Sequence, residues 1–200
     1  MRKSKYLVLS SFYFDFNNDL SEIKEIKALF ENQNILDLER FNDLKIIKFN
    51  VFSENQIKHL RLPKNIEIIG DWAFANNKIE ILDLSYCINL KNIEEYAFKE
   101  NQIKHLKLPK NIEKIEWCAF MNNQIQILDL SNCIKLKHIV FDAFSSNPLN
   151  EIKILDNVLL EYDEYFYFLK DPWNTFTKYY NDNEKKAGDY KLENNKWQWY

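Results

Sequence analysis

Apolar residues recur along this chain at a few fixed positions. In 103–124, IKHLKLPKNIEKIEWCAFMNNQ, they are Ile103, Leu106, Leu108, Ile112, Ile115, Ala119 and Phe120. Leu106 and Leu108 stand two apart, which is the spacing of one face of a strand and predicts a short strand with both leucines turned inward. Pro109 then ends that strand. The Ile112-x-x-Ile115 and Ala119-Phe120 steps bring a second side of the coil back onto the core. Alanine lets the backbone come close, and phenylalanine fills the middle. The following stretch, 125–148, keeps these positions but replaces the Leu-Pro step with Leu130-Ser-Asn-Cys133, a wider corner. Moving 57–102 along by 46 residues lays it on 103–148, so coils of 22 residues alternate with coils of 24. A fixed period of this size is the signature of a solenoid, in which each coil buries its apolar edges only by stacking on its neighbours.

The repeat sets the domain organisation. The solenoid is expected over 33–157, as full units 33–56, 57–78, 79–102, 103–124 and 125–148 and a partial unit 149–157. Residues 1–32 read as a degenerate N-terminal repeat or cap. In it Phe14 and Phe16 take leucine places, and Leu20 and Ile23 match Ile66 and Ile69. Asn55, Asn77, Asn101, Asn123 and Asn147 follow the phenylalanines at a constant spacing, and a buried asparagine there is expected to bond the backbone of the next coil. Residues 158–200 leave the period and read as a C-terminal cap. They hold an aromatic run, Tyr162 to Phe168, and then Asp171-Pro172, an N-cap and first-turn proline that predict a helix to about Tyr180. Trp173, Phe176 and Tyr180 would share one face of it. The stretch from Gly188 predicts a hairpin turning at Asn194-Asn195, with Tyr190, Leu192, Trp197 and Trp199 on one face.

The Ile-x-x-Ile-x-x-x-Ala-Phe-x-x-Asn segment and the Leu-x-Leu-Pro step resemble the leucine-rich repeats of the BspA-like family of bacterial and protozoal proteins. The resemblance covers about 33–157, and the tail looks like one common in spirochaete members. It implies a right-handed leucine-rich repeat solenoid, with a parallel sheet on one face, short strands and turns on the other, and terminal caps. It also implies relatives that include surface antigens and adhesins contacting host matrix or other bacteria. The departures are the N-terminal unit, and Glu116 and Val140 where Gly70 holds the family's usual glycine.

Composition narrows the function. Hydrophobic residues make up 46% of the 200, enough for a continuous core. The net charge of −3 is small and interspersed, which argues against a dedicated nucleic-acid surface. No apolar run is long enough to span a bilayer. The start, MRKSKYLVLSSFYFDF, lacks a small-residue cleavage site, and the alternation Phe12, Phe14, Phe16 reads as a first strand, with a signal peptide as the other reading. Location stays open between cell surface or secreted and cytoplasmic. Cys87 and Cys133 occupy one repeat position two rungs apart, roughly 10 Å, too far for a disulfide. With Cys118 they read as small buried or half-buried apolar residues. The chain has two glycines, so no nucleotide-binding loop, and no Cys-x-x-Cys or His-Glu-x-x-His pattern. No catalytic, cofactor or metal set is expected, and a tail of about 43 residues is small for an independent catalytic core.

Stacked coils turn equivalent positions into columns. One runs Asp37, Arg61, Asp83, Lys107, Asp129, Lys153 with alternating sign. It reads as a self-neutralising ladder or, alternatively, a ligand surface. Beside it run Ile35, His59, Ile81, His105, Ile127, Glu151, where the two histidines are about 10 Å apart, too far to share a zinc ion. A third set, Trp72, Tyr96, Trp117 and Phe141, offers anchors for a partner or packs over the adjacent coil. The expectation is a monomeric, non-enzymatic protein–protein interaction module, a surface antigen or adhesin, with an intracellular scaffold as the alternative. Its partner would meet the sheet face (Asp37, His59, Arg61, Asp83, His105, Lys107, Asp129) or the aromatic corner.

Overall fold

A computed structural model describes residues 34–161 and 171–200. The degenerate unit 1–32 and the run Tyr162 to Phe168 lie outside the described residues. Each coil supplies two strands. They are β1 (Ile35–Asp37) and β2 (Ile46–Ile47), β3 (His59–Arg61) and β4 (Ile68–Ile69), β5 (Ile81–Asp83) and β6 (Asn92–Ile93), β7 (His105–Lys107) and β8 (Lys114–Ile115), β9 (Ile127–Asp129) and β10 (His138–Ile139), then β11 (Glu151–Ile154) and β12 (Leu159–Leu160). The first strand of each coil is the Leu-x-Leu step, and the second closes the Ile-x-x-Ile step.

The described residues form a parallel β-solenoid of about five turns, the solenoid that the period predicts and the leucine-rich repeat architecture that the resemblance implies. Leu36 lies over Leu60, and Leu82 over Leu106. Ile47, Ile69, Ile93, Ile115 and Ile139 form one parallel column in a six-stranded sheet, β12-β10-β8-β6-β4-β2. The leucine side differs from the continuous sheet expected there. It divides into β1-β3-β5-β7 and β9-β11-β13-β14, and β3 and β5 share only the His59–Ile81 register. The break follows the alternation of coil length. Going from a long coil to a short one, Leu38, Leu84 and Leu130 donate their N–H to Arg61, Lys107 and Lys153 at 2.7–2.8 Å. Going from short to long, Leu62 N–H finds the Tyr86 hydroxyl instead, at 3.3 Å. Pro63 and Pro109 stand immediately after the short-coil leucines and bring no N–H to extend the ladder.

A third side of each coil stacks without forming a strand. Phe52, Phe74, Phe98 and Phe120 donate N–H to Ala73, Ala97, Ala119 and Ala143, one coil on, at 2.8–2.9 Å. Their rings, with Phe144, stack at 5.2–5.4 Å and within 9° of parallel. Each pair adds about 0.5–1.5 kcal/mol beyond burial itself. The backbone alternates around them. Asn50, Trp72, Tyr96, Cys118 and Asp142 on one flank, and Glu54, Asn76, Glu100, Asn122 and Ser146 on the other, all have φ between 54° and 60°. That left-handed conformation is uncommon for residues other than glycine, and here the ladder holds it in every coil.

The asparagines form the expected ladder, except that each bonds its own coil and reaches a carbonyl of the coil before. Asn123 Oδ1 accepts from Ile103 N–H at 3.0 Å, and its amide donates to the carbonyls of Phe98 and Phe120 at 3.0 Å. Asn77, Asn101 and Asn147 repeat this arrangement.

At the C-terminal end, α1 (Pro172–Asp182) begins where Asp171-Pro172 predicts and runs two residues past Tyr180. Asp171 accepts from Trp173 and Asn174 N–H and also from Ser146 N–H, so the N-cap ties α1 to the last coil. Trp173 sets its ring edge against Phe144 at 5.0 Å and ends the phenylalanine stack. Strands β13 (Gly188–Glu193) and β14 (Lys196–Trp199) form the hairpin, turning at Asn194 and Asn195 with φ of 50° and 61°, the paired left-handed turn such loops use. β13 lies antiparallel on β11 and covers its free edge.

Candidate functional site

The outer face of the leucine sheet is built by alternation. Leu36, Leu60, Leu82 and Leu128 point inward and are buried, so the residues on either side of each point out. Along one outward column the register places Ile35, His59, Ile81 and His105 side by side, and places Ile127 beside Glu151. The isoleucines are large apolar residues left to solvent: Ile35, Ile81 and Ile127 are 43%, 57% and 54% exposed. His59 and His105 are exposed between them. Among the described residues no group of three or more His, Cys, Asp or Glu could hold a metal ion. His138 lies on the opposite sheet, its Nε2 2.5 Å from Glu161.

The charged column differs from an unbroken ladder. Asp37 meets Arg61 and Asp83 meets Lys107, each at 3.6 Å. Among the described residues no ion pair joins Arg61 to Asp83 or Lys107 to Asp129, because those are the short-to-long steps where the sheet loosens. Lys153 turns to Asp189 of the hairpin and to Glu151, both at 3.5 Å. Burial pushes the Asp83 carboxyl up, but the Ser85 hydroxyl at 2.6 Å, the Ser85 N–H and Lys107 outweigh it and hold the group below its ordinary value. Asp129 takes the same bonds from Ser131. The Asp-x-Ser of the long coils 79–102 and 125–148 is thus a local clamp that fixes where the carboxylate points.

Two features escape the sequence columns above. On the opposite sheet Lys45, Glu67, Lys91, Glu113 and Lys137 form a second column of alternating sign, with Lys45–Glu67 at 3.0 Å and Lys91–Glu113 at 3.2 Å. Again the pairs join a long coil to the short coil after it, as does Glu80–Lys104 at 3.8 Å. The same 46-residue shift could have found it. The other is Tyr86, whose hydroxyl replaces a backbone acceptor; no repeat position announces it, since Asn132 stands there one period later.

The aromatic corner comes together as one column even though its members occupy two positions. Trp72 and Tyr96 immediately precede Ala-Phe, while Trp117 and Phe141 stand one residue earlier. Trp72 and Tyr96 stack at 4.3 Å; Tyr96–Trp117 and Trp117–Phe141 follow at 5.1 and 5.4 Å. All four are half-buried. Lys99 Nζ lies 5.3 Å from the Trp72 ring and 5.6 Å from Tyr96. Only Trp72 and Tyr96 stack; the Trp117 ring is tilted by 55° and 44° to its two neighbours. Cys87, Cys118 and Cys133 are buried free thiols whose pKa burial pushes up to about 12, which disfavours the thiolate. Among the described residues no helix is long and apolar enough to cross a membrane.

The family model for the BspA type leucine rich repeat region matches in six copies, over residues 24–150 and 84–177. No curated protein matches the chain. No solved structure matches it.

Proposed function

The chain belongs to the BspA-type leucine-rich repeat family, and we propose that it is a non-enzymatic protein-interaction module that docks its partner on the outer face of the leucine sheet. The repeat type suggests an interaction module. The observation that carries the choice of face is the exposed column Ile35, Ile81 and Ile127, interleaved with His59 and His105 and flanked by paired charges. Isolated exposed isoleucines are ordinary, but three of them spaced along a rigid backbone, with histidines between, are preformed anchors that a partner can cover at little ordering cost. The flanking Asp83–Lys107 and Asp37–Arg61 pairs offer a polar rim of both signs. At the aromatic corner the four rings are half-buried against one another, which favours the sheet face. The partner is a protein, and the finer reading is a surface antigen or adhesin.

A photo-crosslinking residue placed at Ile81 or at Tyr96 separates the two surfaces. Covalent adducts with a cellular or matrix protein are expected from position 81, and Ile127→Lys should abolish them with the circular dichroism unchanged. Adducts from position 96 alone would move the site to the corner. Protease shaving of intact cells is expected to remove the protein; full protection would favour the intracellular scaffold.

A further inference from the structure

One of the chain's two glycines seats an exposed tryptophan. A Cβ on Gly188 would lie 2.0 Å from Nε1 of Trp199, so a bare backbone is needed for the indole to lie there. The indole N–H donates to the Ala187 carbonyl at 3.2 Å. Trp199 is thus fixed in orientation while 53% of its surface remains in solvent, unlike Trp173 and Trp197, which are buried.

Beside the indole lies a cavity of about 200 Å³, lined by Tyr179, Asp182, Glu184, Lys186, Tyr190 and Trp199. Three aromatic residues and two carboxylates line it with the Lys186 ammonium, and the Asp182 carboxylate is itself paired with Lys178 at 2.5 Å. Lys186 Nζ stands 5.8 Å from the Trp199 ring and 3.0 Å from the Glu184 carboxylate. A cation therefore already rests where an aromatic face and an anion converge, the arrangement that attracts cations most strongly. The Lys186 and Glu184 side chains are 53% and 79% exposed, so this resident pair is weakly held. Tyr179 and Tyr190 meet edge to face at 6.1 Å and close the inner wall.

We propose that this pocket binds a small alkylammonium cation, quaternary in preference to primary, on the Trp199 face in place of the Lys186 ammonium. A quaternary ammonium has no N–H to satisfy and is weakly hydrated, so it gives up less on leaving water than a lysine does. Glu184, released from Lys186, supplies the opposing charge, Asp182 stays paired with Lys178 at 2.5 Å, and the Tyr179 ring takes the methyl groups. The site stands apart from the sheet face, and its fate is independent of which surface meets a protein partner.

The test titrates tetramethylammonium chloride into the full chain and follows the Trp199 indole N–H resonance, assigned by its loss in Trp199→Phe. Choline and its neutral isostere 3,3-dimethylbutanol are run alongside, with sodium chloride as the ionic control. Saturable shifts are expected with both cations and none with the alcohol. Lys186→Gln, which removes the resident cation, should tighten tetramethylammonium about fivefold, and Trp199→Ala should weaken it about tenfold. Retention on phosphatidylcholine vesicles but not on phosphatidylglycerol vesicles would assign the cation to a lipid headgroup; binding of free choline alone would assign it to a soluble ligand, and both support the site. Equal shifts with the neutral isostere, or no tightening in Lys186→Gln, would overturn it. The second readout does not depend on how well Trp199→Ala folds.

Discussion

Replacing Asn123 by alanine isolates the asparagine ladder. The substitution removes the acceptor of Ile103 N–H and the donor to the carbonyls of Phe98 and Phe120, each bond 3.0 Å long. Ile103, Phe98 and Phe120 are fully buried, so water cannot take over easily. A buried polar group left without a partner costs about 1–3 kcal/mol. One donor, Ile103 N–H, is orphaned, while the Phe98 and Phe120 carbonyls keep the Asn101 and Asn147 amides at 3.1 and 2.9 Å, so the loss should be about 1–3 kcal/mol. Asn111→Ala is the matched control. Its amide also bonds the coil before, to the Ile88 carbonyl at 2.9 Å, but in solvent, and should cost about 0.5 kcal/mol. The assay is urea unfolding followed by fluorescence and far-ultraviolet circular dichroism. Asn123→Asp adds a pH signature. A carboxylate facing carbonyls in a buried site is held neutral, so its folded pKa rises above the unfolded value near 3.9. The folded state then binds more protons, and stability falls as pH rises between those two values, by up to about 1.4 kcal/mol per pH unit. Costs for Asn123→Ala and Asn111→Ala that agree within about 0.5 kcal/mol would refute the ladder as a source of stability.

Further outcomes follow from the same geometry. A double-mutant cycle on Asp83 and Lys107 should give a coupling of about 0.5 kcal/mol that vanishes in 1 M salt, while a cycle on Arg61 and Asp83 should give about zero; equal couplings would contradict the pairing of coils two by two. The three buried thiols, pushed up to about 12 by burial, should resist a thiol reagent at pH 8 in the native state and react together in urea. Rapid native reaction of any one would show that its coil opens locally. Deleting 172–200 uncovers Phe144 and the edge of β11, and should lower the melting temperature and promote association. An unchanged melting temperature would make the tail a separate element.

Much of the coil was legible because its signals are local or strictly periodic. The Leu-x-Leu step placed β1, β3, β5, β7 and β9, the constant Asn placed the ladder, and Asp171-Pro172 and Asn194-Asn195 placed α1 and the hairpin turn. What escaped depends on how one coil meets the next. Charge alternation along Asp37 to Lys153 does not tell which neighbours touch; the backbone bonds at each step do, and these depend on Pro63, Pro109 and Tyr86. The left-handed backbone at Trp72 and Tyr96 was hidden because aromatic residues rarely adopt it. The pocket at Trp199 joins residues from the helix end and both hairpin strands, which no motif spacing connects.

The alternation of long and short coils, with ion pairs and full pairing of the leucine-side strands inside each 46-residue doublet, is the central claim, and two deletions test it directly. Removing 57–102 takes out a short and a long coil and leaves 33–56 followed by 103–124, long by short as before. Removing 57–78 takes out one coil only, but sets Asp37 against Asp83 and Lys45 against Lys91, so like charges stand opposite. If every coil contributed equally, the larger deletion would be the less stable. The doublet predicts the reverse order of urea midpoints: the chain lacking 57–102 should outlast the chain lacking 57–78. A midpoint for the single-coil deletion at or above that of the double would contradict it.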